Sequence, residues 1–131
     1  PPAASISAAA VCIVPGSFGF GSEVLAAIAA LNLVAANDNG AGQIVAAGDL
    51  SALAQLSENP PASARVRALA VAGAFHTSYM QPAVESLRAK AATIATHPVQ
   101  INVISNKDGE VVSDGAEVLT RIVNQIANPV R

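Results

Sequence analysis

The 131-residue sequence has a single cysteine, Cys12, and no tryptophan. One thiol excludes an internal disulfide framework and agrees with a reducing, cytoplasmic setting. Because Cys12 lies in an apolar run, we predict an inert, buried thiol rather than a reactive one. The two histidines are far apart in the sequence, and most carboxylates stand at helix starts or in turns. We therefore predict no metal site.

Aromatic residues and positive charge are also scarce. Aromatics make up 3% of the chain, and 7 lysine and arginine residues against 9 aspartate and glutamate residues give a formal net charge of -2. The sequence offers no basic stripe for a phosphate backbone, and its predicted strands hold no aromatic ring on which a base could stack. Nucleic acid is therefore not expected as a partner. The 52% of hydrophobic residues are mostly small and aliphatic, which predicts closely packed elements.

The start of the sequence has neither a methionine nor an early charge. The first charged residue is Glu23, so the basic segment that opens a signal peptide is missing. Pro15 and Gly16 interrupt the apolar start well before the roughly 20 residues needed to cross a bilayer. We therefore expect a soluble chain without a membrane partner, cut at its N-terminus from something longer.

Strand and helix patterns alternate through the first half of the chain. Short runs of small and β-branched residues predict strands, and apolar residues at helical spacing after Ser22 and Asp49 predict helices. The predicted strands are residues 5–14, 33–36, 43–47 and 66–71, and the predicted helices are residues 22–31 and 49–59. The polar, glycine-containing segment Asn37–Gly42 closes a hairpin. This order is the split βαβ arrangement, with two helices on one face of a four-stranded antiparallel sheet.

The second half of the chain has a different pattern, with longer helices and shorter strands. Ser78 and Gln81 fit a capping box, and apolar residues at helical spacing predict a helix that ends near His97. The other predicted elements are a strand over residues 99–104, a short strand at Val111–Val112 and a helix from Asp114 to Asn128.

His76 is the side chain best placed for acid–base chemistry. It follows a strand and Gly73, precedes a helix start, and has Phe75 beside it to exclude water, which suits a general base. The alternative is a histidine at the rim of the fold that makes only a local hydrogen bond. His97, at a predicted helix end, is interpreted as a cation that suits the helix dipole. Because the chain has no Gly-x-Ser-x-Gly elbow, its residues alone indicate a base without a nucleophile.

Four blocks of the sequence carry a resemblance to a known family: Asn37–Gly48, Val66–Thr77, Val103–Asn106 and Gln125–Arg131. In order and spacing they resemble the C-terminal half of bacterial malonyl-CoA:acyl-carrier-protein transacylases. In that family a large α/β-hydrolase-like core carries an inserted ferredoxin-like subdomain. The resemblance implies an α/β protein in which residues 1–72 form the ferredoxin-like small subdomain. Residues 73–131 would then be a returning part of the large acyltransferase subdomain. The α+β pattern of the chain would be that of a fragment of this α/β protein.

The same resemblance implies roles for four residues. His76 matches the base that activates a serine and then protonates the leaving thiolate, and Gln125 matches the position whose main-chain carbonyl orients that base. The segment from Gly73 to His76 is similar to the His-Ala-Phe-His signature of malonyl-selective domains, in which the phenylalanine crowds an α-methyl branch. Phe75 and Gly73 are therefore the expected selectivity positions, although Gly73 replaces the first histidine of that signature.

Other parts of the family's site have no match in this chain: the Gly-His-Ser-x-Gly elbow, the arginine that pairs with the malonyl carboxylate, and a glutamine-rich oxyanion segment. Four arginines, Arg65, Arg67, Arg88 and Arg121, lie at no matching position, so we interpret them as surface residues. The resemblance implies a fragment that needs the N-terminal half of the same enzyme. Its substrates would be malonyl-CoA, a coenzyme A thioester, and acyl carrier protein, with no bound cofactor.

Two other functions remain open from the sequence. One is an acyltransferase domain within a polyketide synthase, and the other is a non-catalytic ferredoxin-like binding module. The reading frame upstream of the chain would discriminate among the three: a Gly-His-Ser-x-Gly segment favours an enzyme, and flanking synthase domains favour an embedded domain.

Overall fold

The computed structural model describes residues 8–15, 21–62 and 64–131, which form an α+β fold with two small sheets. The strands are β1 (Ala8–Pro15), β2 (Val34–Asp38), β3 (Ile44–Asp49), β4 (Ala64–Ala68), β5 (Val103–Ile104) and β6 (Val111–Val112). The helices are α1 (Gly21–Ala30), α2 (Leu50–Glu58), α3 (Gln81–Ala91) and α4 (Gly115–Gln125). One 3-10 turn, Ser78–Met80, precedes α3. The side chain of Cys12 lies outside the described residues, so its predicted burial stays a prediction.

The first four strands form one antiparallel sheet in the order β2-β3-β1-β4. The order of strands and helices in this part of the chain agrees with the sequence prediction. The hairpin between β2 and β3 turns at Gly40 and Gly42, both with positive φ, and the N–H of Asn39 donates to the oxygen of Gln43 at 2.9 Å. β4 ends at Ala68, where its pairing with β1 also ends, and so it is shorter than the predicted strand over residues 66–71.

Both faces of β3 are covered, which fixes where the sheet meets the rest of the chain. On one face, Ile44 and Ala46 pack with apolar residues of both helices: Val24 and Ile28 from α1, and Leu53 and Leu56 from α2. On the other face, Ala47 and Ala36 pack against Ala74, which is fully buried. The small side chains let the segment that follows β4 lie directly on the sheet.

Helices α3 and α4 pack against each other through Val84, Ala91 and Val123, together with Ala127 just after α4. The prediction that the first of them begins with a Ser78 capping box is wrong, because Thr77 is the N-cap of the 3-10 turn and its side chain accepts from the N–H of Tyr79. The prediction that this helix runs to about His97 is also wrong. It ends at Ala91, and after Ala92 the N–H groups of Thr93 and Ile94 bond three residues back, which tightens the last turn.

The last small sheet is shorter than its sequence pattern suggests. The strand predicted over residues 99–104 is confined to Val103–Ile104, which pairs with Val111–Val112. Asp114 does cap α4, because its carboxylate accepts from the N–H groups of Ala116 at 2.7 Å and Glu117 at 3.4 Å. Within the described ranges no helix is long and apolar enough to span a membrane, since the longest two have 11 residues each.

Candidate active site

The end of α4 presents two main-chain oxygens to the segment that follows the large sheet. The last carbonyls of a helix have no partner one turn ahead and must be satisfied by other donors. Here the oxygen of Gln125 accepts from the N–H of Asn128 at 3.1 Å, and the oxygen of Ile126 accepts from the N–H of His76 at 2.9 Å. A carbonyl oxygen has two lone pairs, so Gln125 retains room for a second donor.

The segment that carries His76 is held tightly on either side of it. Ala74 is packed on the alanines of β2 and β3, and the buried Thr77 hydroxyl donates to the oxygen of Ala74 at 2.7 Å. Between these anchors His76 has φ +62°, in the left-handed region that non-glycine residues adopt rarely. Such backbone conformations cost roughly 1–3 kcal/mol and cluster at functional sites.

The strained backbone brings the imidazole of His76 onto the end of α4. Its Nδ1 lies 2.9 Å from the main-chain oxygen of Gln125, across 49 positions of sequence. Because a carbonyl oxygen only accepts, Nδ1 carries the proton in the neutral ring, and Nε2 is left with a free lone pair. The half-buried histidine is thus held in the tautomer that a general base requires, with a neutral dipole in the position where a carboxylate often stands.

The two residues predicted to govern selectivity lie just before His76 but in unlike surroundings. Gly73 is buried, whereas Phe75 keeps 42% of its surface exposed. Phe75 is therefore an exposed aromatic residue immediately before His76 in the sequence. Of the four residues to which the resemblance assigns roles, the structure joins His76 and Gln125 by a hydrogen bond, and the selectivity roles of Phe75 and Gly73 stay predictions.

A cleft of about 230 Å³ runs beside Gln125 and is lined in part by Arg121, which belongs to a charged cluster. Arg121 donates to Asp108 at 2.7 Å and to Glu117 at 2.8 Å. The N–H of Glu110 and the neighbouring Arg121 together lower the pKa of Asp108, and the two carboxylates raise the pKa of Arg121. Arg121 is therefore not the freely solvated residue that the sequence suggested, because it ties α4 to the turn between β5 and β6.

The remaining candidates lie away from this arrangement. His97 is exposed, its Nδ1 contacts only the oxygen of Pro98 at 3.1 Å, and it follows the end of α3 by several residues. The interpretation of His97 as a helix-end cation is therefore wrong. In the part of the chain that the structure describes, no three histidine, cysteine, aspartate or glutamate side chains are grouped to hold a metal ion.

Sequence reasoning missed the side-chain contacts of Gln125. Its amide nitrogen donates to the oxygens of Asn128 at 2.9 Å and Pro129 at 2.8 Å. The next residue, Val130, pairs with β2: its N–H donates to Ala36 at 2.8 Å and its oxygen accepts from Asp38 at 3.2 Å. The only signal in the sequence is Pro129, which ends the helix and turns the chain toward the sheet.

Three known proteins similar to this chain are considerably longer than it. The malonyl CoA-acyl carrier protein transacylase of Mycobacterium tuberculosis is 53% identical over 110 residues, which are 84% of this chain and 36% of that protein. Its counterpart in Mycolicibacterium smegmatis is 50% identical over 110 residues, or 84% and 38% of the two chains. The crystal structure of MCAT from Mycobacterium tuberculosis matches with a TM-score of 0.91 and 47% identity, over 98% of this chain and 41% of that one.

No protein-family model matches the sequence. The chain spans little more than a third of the length of the curated relatives given above. The similarity covers both the sheet with its two helices and the segment that holds His76 and Gln125, because the structural match extends over nearly the whole chain.

Proposed function

We propose that this chain, which belongs to the malonyl-CoA:acyl-carrier-protein transacylase family, supplies the base of a serine-dependent acyltransferase. The observation that carries the proposal is the 2.9 Å contact between Nδ1 of His76 and the oxygen of Gln125. This contact leaves Nε2 free to accept a proton. The positive φ of His76 supports a functional role, because strain of this kind is retained where geometry matters.

The proposed reaction has two half-reactions of the same kind. In the first, Nε2 of His76 takes the proton of a serine hydroxyl as that oxygen bonds to the thioester carbon of malonyl-CoA. The carbon–sulfur bond then breaks, and the imidazolium returns the proton to the coenzyme A thiolate. In the second, His76 deprotonates the thiol of the carrier protein's phosphopantetheine, which attacks the acyl-serine and releases the serine hydroxyl. The serine would come from the part of the relatives that this chain does not match.

Gln125 contributes a dipole rather than a charge to this mechanism. Its oxygen orients the imidazole and favours the imidazolium that forms when the proton moves, and the negative end of the α4 dipole acts in the same direction. A carbonyl cannot take the proton from Nδ1, so proton transfer is confined to Nε2. Gln125 is therefore a positioning residue, whereas His76 touches the reacting atoms.

Selectivity is assigned to the rim beside the base. Phe75 is adjacent to His76 and nearly half exposed, so its ring can meet the carbon next to the thioester. An α-methyl branch at that carbon would collide with the ring, whereas malonyl would not. Gly73 is buried two residues before Phe75, at the position where the family signature has its first histidine, and we assign it to the same selectivity segment. The rim thus bears on branching next to the thioester, whereas the malonyl group itself is proposed from the names of the relatives.

The subdomain division is part of the same proposal. The antiparallel order β2-β3-β1-β4, with α1 and α2 packed on one face, supports a ferredoxin-like small subdomain over residues 1–72. Residues 73–131 would then belong to the α/β-hydrolase-like large subdomain. The proposed partners are acyl carrier protein and the remaining part of the same enzyme, with no bound cofactor. The cytoplasmic setting inferred from the lone cysteine stays a prediction.

The test compares the two histidines in the complete enzyme. We expect His76→Ala to lower malonyl transfer to carrier protein by about a hundredfold or more, because it removes the base. His97→Ala is the matched control, since the His97 side chain is exposed and its ring hydrogen-bonds the oxygen of the neighbouring Pro98, away from Gln125. Transfer is followed by mass spectrometry of the carrier protein. Near-normal turnover of His76→Ala would remove His76 from the mechanism.

A second measurement tests the origin of the serine. The 131-residue chain by itself is expected to transfer no malonyl group, because the proposal places the nucleophile outside it. Labelling of carrier protein by this chain alone would overturn that assignment.

A further inference from the structure

The tail that follows α4 is folded back onto the residue that contacts the base. After Gln125 the chain turns at Asn128 and Pro129, and both of their main-chain oxygens face the side chain of Gln125. The two contacts measure 2.9 Å and 2.8 Å to the amide nitrogen. Because both partners can only accept, this nitrogen, and not the amide oxygen, must face the turn. One side chain therefore closes the turn with both of its N–H donors.

This turn also determines the second partner of the carbonyl that holds the imidazole. The N–H of Asn128 donates to the oxygen of Gln125, the same atom that accepts from Nδ1 of His76. If the turn opens, Asn128 moves away and the end of α4 can fray, which rotates that oxygen. The side chain of Gln125 thus controls the orientation of its own carbonyl through a closed loop of hydrogen bonds.

The turn has a further attachment at the sheet. Val130 exchanges hydrogen bonds with Ala36 and Asp38 on the edge strand β2. The segment that carries His76 rests on the same strand, because Ala74 packs against Ala36. The segment with His76 and the tail after Gln125 therefore both contact strand β2. The side chain of Gln125 bonds to that tail at Asn128 and Pro129.

We propose that the side-chain amide of Gln125 is a positioning group for the base: by holding the Asn128–Pro129 turn closed, it keeps the Nδ1–H tautomer of His76. This role is separate from that of the Gln125 carbonyl, which every residue at this position would provide. The expected effect of the Gln125 side chain on turnover rests on the proposed function, whereas its expected effect on the tautomer does not. The tautomer itself is a property of the folded chain.

The test removes the donors and keeps the carbonyl. In Gln125→Met the side chain has nearly the same length and shape but cannot donate, and in Gln125→Glu two acceptor oxygens face the two carbonyls. Gln55→Met, at an exposed position in α2, is the matched control. All variants are made in the complete enzyme with ¹⁵N-labelled histidine, and the His76 signals are assigned by their loss in His76→Gln.

The first readout is the ring nitrogen spectrum at a pH where the imidazole is neutral. In the wild type and in Gln55→Met we expect the proton on Nδ1, and in both Gln125 variants we expect a substantial fraction on Nε2. The second readout is kinetic: kcat should fall about tenfold in the Gln125 variants, with KM for malonyl-CoA unchanged, because the base is misplaced while the substrate site is intact. A loss of global stability alone would not change the tautomer of the folded protein.

Two results would overturn the proposal. One is an unchanged Nδ1–H tautomer in a folded Gln125→Met or Gln125→Glu protein, and the other is a kcat equal to that of Gln55→Met. If His76 is not the catalytic base, His76→Ala turns over normally. The tautomer measurement still tests whether the Gln125 side chain positions the imidazole, because it does not depend on turnover. Because Gln125 is only partly buried, at least one of the two variants is expected to fold.

Discussion

At the scale of single residues, the position of His76 could be interpreted from the sequence around it, whereas its contact with Gln125 could not. The position of His76 after an apolar run indicated a base, yet its partner is 49 residues away. No local spacing encodes such a contact, and Gln125 was found only through the family resemblance. The hydrogen bonds of the Gln125 side chain were not predicted at all, because a glutamine near a helix end is ordinarily solvated.

Phe75 gives a prediction about substrate choice. Replacement by alanine removes the ring beside the base, so a branched thioester should be accepted more readily. We expect Phe75→Ala to raise the ratio of kcat/KM for methylmalonyl-CoA to that for malonyl-CoA by about tenfold, the effect expected for accommodating one methyl group. The measurement is the rate of acyl transfer from each thioester to carrier protein by the complete enzyme.

Tyr79→Ala is the control for this experiment, because Tyr79 is a nearby aromatic residue with similar exposure. A general loosening of the segment would change both variants alike, and only contact with the substrate would single out Phe75. An unchanged ratio in Phe75→Ala would show that the ring does not meet the acyl group.

At the scale of elements, the start of α4 was predicted better than the end of α3. Asp114 was identified as a cap from its residue type, and it makes the expected contacts with Ala116 and Glu117. The end of α3 was missed because Ile94 continues the apolar spacing. The Thr93 hydroxyl donates to the oxygen of Lys90 at 2.8 Å, which competes with further helix, and Pro98 disfavours helical backbone just before it.

The start of α4 gives a prediction about stability. Gly115, its first residue, lies so close to the backbone of His97 that a Cβ atom would overlap with the His97 carbonyl oxygen and contact its carbonyl carbon and nitrogen. Backbone atoms cannot move aside as a flexible side chain can. We expect Gly115→Ala to lower the free energy of unfolding by about 1–3 kcal/mol, measured by chemical denaturation, since the strain exceeds any gain in helix propensity.

Gly21→Ala is the matched control, because Gly21 is the first residue of α1 and no described residue comes within 4 Å of where a Cβ atom would stand. It is expected to leave stability unchanged or slightly increased. Equal effects of the two substitutions would indicate that the approach of His97 to α4 does not constrain the helix start.

At the scale of the whole molecule, the join between the sheet and the α3–α4 pair was the least predictable feature. The βαββαβ order could be read from periodicity because each element shows its own apolar pattern. The join uses Ala36, Ala47 and Ala74 together with the backbone of Val130. Small side chains and main-chain hydrogen bonds leave no periodic signal, so the sequence indicated the two layers but not how they meet.

One surface of the molecule is unusually apolar, and we call it the isoleucine face: Ile94, Ile101, Ile104, Val111 and Ile122. Each of these side chains is more than half exposed, and Ile101 reaches 83%. Ile122 lines both the cleft beside Gln125, which also includes Ile104, and a second one that includes Ile94, so these three exposed side chains lie along adjoining clefts. Contiguous apolar surface of this kind marks a site of association.

The isoleucine face gives the last prediction, which concerns the 131-residue chain by itself. Burial of the exposed isoleucines against other copies would remove apolar surface from water, at roughly 25 cal/mol per Å². We expect the chain to self-associate over the micromolar range, measured by sedimentation velocity, and Ile104→Ser with Ile122→Ser to shift association to at least tenfold higher concentration. Leu25→Ser, on α1 and outside this face, should leave it unchanged. A chain that stays monomeric at all concentrations, or a Leu25 variant with the same effect, would contradict a specific role for this surface.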